Sequence, residues 1–180
     1  VLLVLALLER LAPRRALIQP KGRRWRTNLG LVVIDTLVLR ALALAVPVLA
    51  VAAAVDAGRL GWGALNALDW PWWVEFSLAV LILDLAIWTQ HLITHKVPLF
   101  WRFHRVHHAD RDFDVTTALR FHPVEIAASA GVKVGLVYLL GPSALAVLVF
   151  EILLNATAMF NHANLRLPPW LDRVVRLVLV

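Results

Sequence analysis

Long apolar runs separated by short polar segments dominate the pattern of this chain, and their lengths predict membrane-spanning helices. Residues 29–55 and residues 74–93 each reach the ~20 apolar residues that a helix needs to cross a bilayer. Two shorter runs, residues 124–140 and 144–160, are separated by the turn-forming sequence Gly-Pro-Ser at residues 141–143. At ~1.5 Å per residue each shorter run extends about 25 Å, which predicts a helical hairpin that dips into the membrane.

These runs predict one all-α domain: a polytopic membrane bundle with two full spans, a membrane-embedded helical hairpin and a His-rich helical cap. Residues 1–28 form a basic interfacial lead-in, 29–95 carry both spans, 96–123 form the His-rich segment, 124–160 form the hairpin, and 161–180 return to the face of that segment. Because the sequence begins and stops inside apolar runs, we expect it to be truncated at both ends.

Composition agrees with a membrane protein and argues against two other classes. Of the 180 residues, 61% are hydrophobic, against roughly 45–50% in an average soluble domain. A soluble globule of this size cannot enclose so much apolar surface, and disordered chains are poor in aliphatic residues. The sequence contains no cysteine, so disulfides and thiolate ligands are excluded within it.

The net charge of +6 is concentrated in two segments. Seven Lys and Arg residues precede residue 29 and five more follow between residues 96 and 120, whereas Arg59 alone lies between the two spans. Because Lys and Arg accumulate in cytoplasmic loops, both segments are expected on the cytoplasmic side. We interpret this basic excess as membrane-flanking charge that binds anionic headgroups, rather than as a nucleic-acid surface.

Seven histidines carry the candidate chemistry, and six of them lie in one short segment before the hairpin. His91 and His95 stand one helical turn apart on one face. His104, His107 and His108 fall within an arc of ~100° around a helix. This spacing is typical of metal ligands, and imidazoles without thiolates suit Fe, Zn, Cu or Ni.

The remaining histidine, His162, follows the hairpin and so returns to the same membrane face. A single histidine near a helix end is more often a surface or capping residue, but that interpretation does not explain the whole cluster. A zinc protease of the His-Glu-x-x-His type is disfavoured because Leu92 stands where Glu is required. Two metal ions that share several imidazoles can bind and reduce O2, and this chemistry suits the cluster best.

Four motifs follow one another along the chain: Asp84-x6-His91-x3-His95, His104-x2-His107-His108, Arg120-Phe121-His122-Pro123-x-Glu125 and Asn161-His162-Ala163-Asn164. In order and spacing they resemble the fatty acid hydroxylase superfamily, specifically its bacterial sterol desaturase-like branch. Residues 9–13 and 25–28 are also similar to that branch, so the resemblance extends over nearly the whole chain.

The resemblance implies a multi-pass oxidoreductase of a bacterial inner membrane, with its His clusters on the cytoplasmic side. Members of the superfamily hydroxylate or desaturate fatty acyl and sterol-like lipids with two iron ions, O2 and two electrons. The implied metal ligands are the histidines of these motifs: His91, His95, His104, His107, His108, His122 and His162. Zinc is expected as a substitute for iron in purified protein, and no catalytic residue beyond the ligands is expected.

Four polar residues of the motifs are predicted to support the ligands: Asp84, Glu125, Asn161 and Asn164. Asp84 lies on the face of His91 but about 10 Å deeper, so it either supports the site or pairs with another buried polar group. Glu125 either steadies His122 or caps the hairpin. The two asparagines either orient His162 or end its helix.

Two more groups of charges complete the expectations. The alternating Asp110, Asp112 and Asp114 are interpreted as a solvated loop in preference to partners of the imidazoles. Lys133 and Glu151 lie in opposite arms of the hairpin, so we expect them to pair across it.

The expected partners are a lipid or sterol-like substrate, membrane lipids and a separate electron donor such as a reductase or small redox protein, with no nucleic acid. A separate donor is needed because Gly61-Trp-Gly63 is too short for a nucleotide-binding fingerprint. We expect the superfamily's last His-x-x-His-His motif beyond the end of this sequence. Two alternatives stay open: a membrane protein that binds metal for transport or storage, and a haem electron-transfer protein.

Overall fold

The computed structural model describes residues 1–44, 49–67 and 69–177, and these residues form helices and loops without a strand. The helices are α1 (Leu2–Leu11), α2 (Lys21–Leu42), α3 (Ala50–Leu60), α4 (Trp72–Lys96), α5 (Pro98–His108), α6 (Pro123–Leu140), α7 (Ala144–His162) and α8 (Pro169–Val175), with a 3-10 turn at Thr117–Leu119. The predicted all-α class is confirmed.

Within the described residues three helices, α4, α6 and α7, are long and apolar enough to cross a membrane. They contain the predicted span at residues 74–93 and both arms of the predicted hairpin, with residues 141–143 as the turn between them. The arms have 18 and 19 residues, so each extends about 27–28 Å, close to the thickness of a bilayer's hydrocarbon core. The prediction of a polytopic membrane protein is confirmed.

The region of the first predicted span differs from the single helix expected over residues 29–55. Helix α2 begins earlier, at the basic residue Lys21, and ends at Leu42, while α3 begins at Ala50. Residues 45–48, which contain Pro47, lie outside the described part of the chain. A proline has no N–H to donate and disfavours helix in the residue before it, so its place in the sequence accounts for two helices instead of one.

One end of the bundle joins the turn of the hairpin to the start of α4. The backbone N–H of Ser143 in that turn donates to the carboxylate of Glu75 at 2.9 Å. Gly63 has a positive φ of 104°, and a side chain there would collide with the backbone of Gly141. The turn and the loop after α3 therefore meet, and the opposite end of the bundle holds the last turn of α4, the start of α6 and the end of α7.

Small and branched residues form the interface between α3, α4, α6 and α7. The buried cluster contains Ala53, Leu83, Val137, Val147 and Phe150, each at most 2% exposed. The alanines of α3 leave room for close approach of the neighbouring helices. The predicted ion pair between the arms of the hairpin is confirmed, because Lys133 Nζ lies 2.8 Å from a carboxylate oxygen of Glu151.

Residues 110–116, which we call the Asp loop, contain three buried aspartates, so the interpretation of these aspartates as a solvated loop is wrong. Asp110, Asp112 and Asp114 are 7%, 0% and 1% exposed. Arg24 of α2 explains the difference: its guanidinium donates to both oxygens of Asp110 at 2.8 Å and to Asp114 at 2.7 Å. A carboxylate can be buried at low cost only with such a partner, and Arg24 is itself buried.

Other bonds attach the same loop to the N-terminal segment. Asp112 accepts from the backbone N–H groups of Ile18 and Gln19. Glu9 of α1 accepts from the N–H of Val115 in the loop and from that of Asn164 after α7, at 2.7 and 2.8 Å. Residues far apart in the sequence are thus held together around buried carboxylates.

Replacement of Arg24 tests this arrangement. The Arg24→Met variant leaves two buried carboxylates without their cation, and breaking such a pair costs about 3–5 kcal/mol of unfolding free energy. For a chain of this size we expect Tm to fall on the order of 10 °C, measured by thermal denaturation in mild detergent. Arg23→Met, at the exposed neighbouring residue, is the matched control. Equal Tm values for the two variants would contradict the structural role of Arg24.

Candidate metal centre

Six of the seven histidines meet at the end of the bundle opposite the hairpin turn. His91 and His95 lie in the last turns of α4, and three more histidines lie on α5. Pro98 is the first residue of α5, so the chain leaves α4 at Val97 and α5 begins at once. This short connection packs α5 against the end of α4, and the end of α7 adds His162.

Four of these rings form what we call the four-His group: His91, His95, His104 and His108. Their Nε2 atoms are neighbours in the order 91, 95, 104, 108, with a separation of 3.2 Å at each step. Atoms of His91, His95 and His104 also lie within 4.8 Å of one another, as ligands of a common ion would. His104 is fully buried, whereas the other three histidines are partly open to solvent.

The remaining two rings form the His107–His162 pair. Their Nε2 atoms lie 2.9 Å apart, and the ring planes are nearly perpendicular at 79°. His107 belongs to the same helix as His104 and stacks on it with ring centroids 5.4 Å apart. The pair therefore lies directly beside the four-His group.

The outer ring nitrogens show which tautomer three of these histidines adopt. His104 Nδ1 lies 2.7 Å from a carboxylate oxygen of Glu125, His107 Nδ1 lies 3.2 Å from the carbonyl oxygen of Arg120, and His162 Nδ1 lies 2.8 Å from that of Ala158. A carbonyl or carboxylate oxygen accepts, so each Nδ1 carries the proton. Each Nε2 is left with a lone pair that faces another imidazole.

Facing lone pairs repel each other unless a cation lies between them, and this donor set fits a metal ion. Two nitrogens at ~2.1 Å from one ion, separated by ~90–110°, are about 3.0–3.4 Å from each other. The observed separations of 2.9–3.2 Å agree with this geometry. The hydrogen bonds at Nδ1 are those by which metal-binding histidines are oriented.

Loss of contact with water keeps His107 and His108 in the neutral form that binds metal. Burial, together with neighbouring histidines, lowers the pKa of His107 to about 3. The pKa of His108 is also lowered, by burial and then by the nearby His104. Both rings are therefore neutral near pH 7 and offer a lone pair, since a lowered pKa means that protonation requires more acid.

His122 lies outside both groups in the described contacts. Its Nδ1 accepts from the backbone N–H of Val124 at 3.1 Å and so caps the N-terminus of α6. Its ring contacts Phe103, with centroids 5.0 Å apart. An Nδ1 that accepts leaves the proton on Nε2, the opposite of the tautomer found in the two groups. The metal-ligand role of His122 stays a prediction from the sequence.

The four supporting residues predicted from the motifs have different positions. Glu125 contacts the histidine ring of His104 rather than His122. Asp84 is exposed on α4 and Asn161 is exposed on α7. Asn164 is buried, but its side chain bonds the backbone of Arg15 instead of a histidine.

A chain of hydrogen bonds connects α2 to His107, and the sequence analysis did not predict it. Arg120, whose carbonyl accepts from His107, donates from its side chain to Asn28 Oδ1 at 3.1 Å. Asn28 is fully buried and donates to Asp110 and to Thr116. Arg24 and Asn28 are four residues apart and share a helix face, but their neighbours Arg23, Arg26 and Thr27 are polar too, so the sequence alone does not single out the pair.

The sequence model of the fatty acid hydroxylase family matches residues 76–178 of the chain. Curated relatives include an alkylglycerol monooxygenase of Xenopus tropicalis, 37% identical over 51 residues (28% of this chain, 10% of that protein), and one of Homo sapiens, 31% identical over 71 residues (38% and 16%). The fatty acid hydroxylase vlmA of a Lecanicillium species is 40% identical over 63 residues (34% and 17%). The matched parts thus span less than a fifth of each relative.

A comparison with solved structures finds no match. The family match begins in α4 and includes every histidine of the two groups. The predicted superfamily is confirmed, and because the matched region covers more than half of its residues, the chain belongs to the fatty acid hydroxylase family.

Proposed function

We propose that this chain forms a di-iron centre of an O2-dependent membrane oxygenase that hydroxylates or desaturates C–H bonds of a lipid. The observation that carries the proposal is that the Nε2 atoms of six histidines face one another at 2.9–3.2 Å. In the hydroxylation, O2, two electrons and two protons convert C–H to C–OH, and the second oxygen atom leaves as water. The names of the relatives, monooxygenase and hydroxylase, support an oxidoreductase.

The histidines of the two groups are the proposed ligands: His91, His95, His104, His107, His108 and His162. Two adjacent groups suit two ions, and a donor set without sulfur suits iron. When bound, the two iron ions supply the O2 and electron chemistry that protein side chains lack. Electrons are proposed to come from a separate donor protein at this end of the bundle, which we propose to be cytoplasmic because Lys and Arg accumulate in cytoplasmic loops.

Side chains and carbonyls around the rings fix their orientation. Glu125 accepts from His104 Nδ1, and the backbone carbonyl of Arg120 does the same for His107. The ring of Phe121 stacks on His107 at a centroid distance of 4.9 Å, and that of Trp101 lies 5.5 Å from His108. These aromatic contacts restrict the orientation of the two imidazoles.

The position of the histidines also fits a lipid substrate. They lie where α4 and α7 end, and both helices expose large apolar side chains such as Leu85 and Ile152. An acyl chain in the bilayer therefore reaches the ligands along an apolar surface without passing through water. This geometry supports a substrate that approaches from the membrane.

Removal of ligands from each group tests the proposal. We expect purified full-length protein to contain about two iron ions per chain, measured by plasma emission spectrometry, and to lack the Soret band of haem. His104→Ala and His107→Ala each remove a proposed ligand and are expected to lose at least half of the iron. His122→Asn keeps a helix-capping acceptor but removes the imidazole, so it should retain the iron and the Tm of the wild type if His122 only caps α6, and lose iron if the ligand role predicted from the sequence holds.

The iron contents of these three variants, together with an assay of lipid oxidation, distinguish the proposed ligand set from its alternatives. Iron content unchanged in His104→Ala and His107→Ala would refute the ligand assignment. A loss of iron in His122→Asn alone would show that His122, and not His104 or His107, is a metal ligand. Iron bound with no lipid oxidation under O2 and reductant would favour the alternative of metal transport or storage.

Glu125 supplies a second test because it touches the site without belonging to the donor set. Glu125→Gln weakens the acceptor of the His104 Nδ1–H, and losses of such partners typically lower metal affinity or activity about 10–100-fold. The measurement is competition for iron with a chelator of known affinity. Glu151→Gln, which breaks the ion pair of Glu151 with Lys133 in the hairpin, is the matched control and should keep the wild-type affinity. Equal affinities for the two variants would exclude a supporting role for Glu125.

A further inference from the structure

A cavity of about 230 Å³ opens beside the His107–His162 pair, at the end of α7. Its walls come from the loop after α1, the Asp loop and the segment that follows α7. The lining residues are Arg14, Arg15, Phe113, Asn161, His162, Ala163 and Asn164. The cavity thus combines two arginines with one of the proposed ligands.

The backbone that carries the arginines is held firmly against the end of α7. The N–H of Arg14 donates to the carbonyl oxygen of Asn164 at 3.2 Å. The amide side chain of Asn164 accepts from the N–H of Arg15 and donates to its carbonyl oxygen, at 3.1 and 2.8 Å. A further bond joins Arg166 N–H to the carbonyl oxygen of Ala12 at 2.8 Å. The loop is therefore fixed in position.

The two arginines bring two positive charges to the wall of the cavity. Both side chains are exposed, and neither forms an ion pair with a carboxylate of the described residues 1–44, 49–67 and 69–177. The guanidinium of Arg15 stacks over the ring of Phe113, 5.5 Å from its centroid. The ring of Phe113 in turn lies 6.3 Å from that of His162. Stacking leaves the N–H edge of a guanidinium free for a ligand.

We infer that this cavity binds the anionic headgroup, a carboxylate or phosphate, of the lipid substrate. Arginine pairs recognise these groups through charge-assisted hydrogen bonds. The cavity lies where α7, a helix able to span the membrane, ends, and headgroups lie at that level. The exposed amide of Asn161 adds a donor at the cavity wall.

The inference rests on the proposed function and narrows it to a substrate class. A headgroup in this cavity borders His162, whose Nε2 faces His107. The carbons next to the headgroup are then nearer the ligands than the far end of the acyl chain. Oxidation is therefore expected close to the polar end of an acidic lipid.

Binding of two ligands that differ in charge tests the inference. Tritiated palmitate and tritiated hexadecanol have equal chain lengths, but only palmitate is anionic at pH 8. Scintillation proximity binding to the purified full-length protein, kept under argon so that no turnover occurs, should give a Kd for palmitate about tenfold or more below that for hexadecanol. The double variant Arg14→Gln/Arg15→Gln should bind both ligands with a Kd close to that of the wild type for hexadecanol.

Arg26→Gln, at an exposed arginine of α2 that does not line the cavity, is the matched control and should keep the preference for palmitate. Equal binding of the two ligands by the wild type, or a preference that survives in the double variant, would overturn the inference. Displacement of palmitate by inorganic phosphate at the same concentration would also overturn the inference, because it would indicate a site for free anions. Iron content measured on the same samples separates this failure from failure of the metal centre.

Discussion

Arg24 carries a positive charge into the protein interior, where the carboxylates of the Asp loop surround it. A buried charge is tolerated only when it is paired, so the loop has one favourable position against α2. Asn28, one turn further along α2, extends the network from Asp110 to the side chain of Arg120. The carbonyl of Arg120 then fixes the tautomer of His107. The orientation of a proposed iron ligand thus depends on an ion pair made by a residue 83 positions earlier in the chain.

The packing of α4 against the hairpin is a second constraint, because it determines which helix ends lie next to each other. The hairpin turn bonds the start of α4 through Ser143 and Glu75, so the end of α4 must lie beside the open end of the hairpin. That arrangement brings the histidines of α4 and α5 to His162 of α7, more than 50 residues away in the sequence. It also places the proposed anion-binding cavity and the proposed metal centre side by side at one end of the spans.

Much of the fold could be predicted because membrane helices are encoded by local composition. The runs at residues 74–93, 124–140 and 144–160 became helices, since an apolar segment of that length satisfies its backbone only as a helix in a bilayer. The run at residues 29–55 was wrongly predicted to form one helix, because hydropathy alone does not include the effect of a proline such as Pro47 on helix geometry. The Asp loop was predicted wrongly for another reason. Carboxylates are usually exposed to solvent, and the burial of these three depends on a partner that is distant in sequence.

The sequence by itself determined the class of protein, the family, and the histidines at i, i+3 and i+4 spacing, because all of these depend on composition or on the geometry of single helices. Only the tertiary structure decided how the rings divide into a group of four and a pair, and that Glu125 faces His104 while His122 caps α6. It alone placed two exposed arginines beside His162. Such relations join residues from different helices, and their geometry is fixed by packing and by pairing of buried charges, which no local pattern contains.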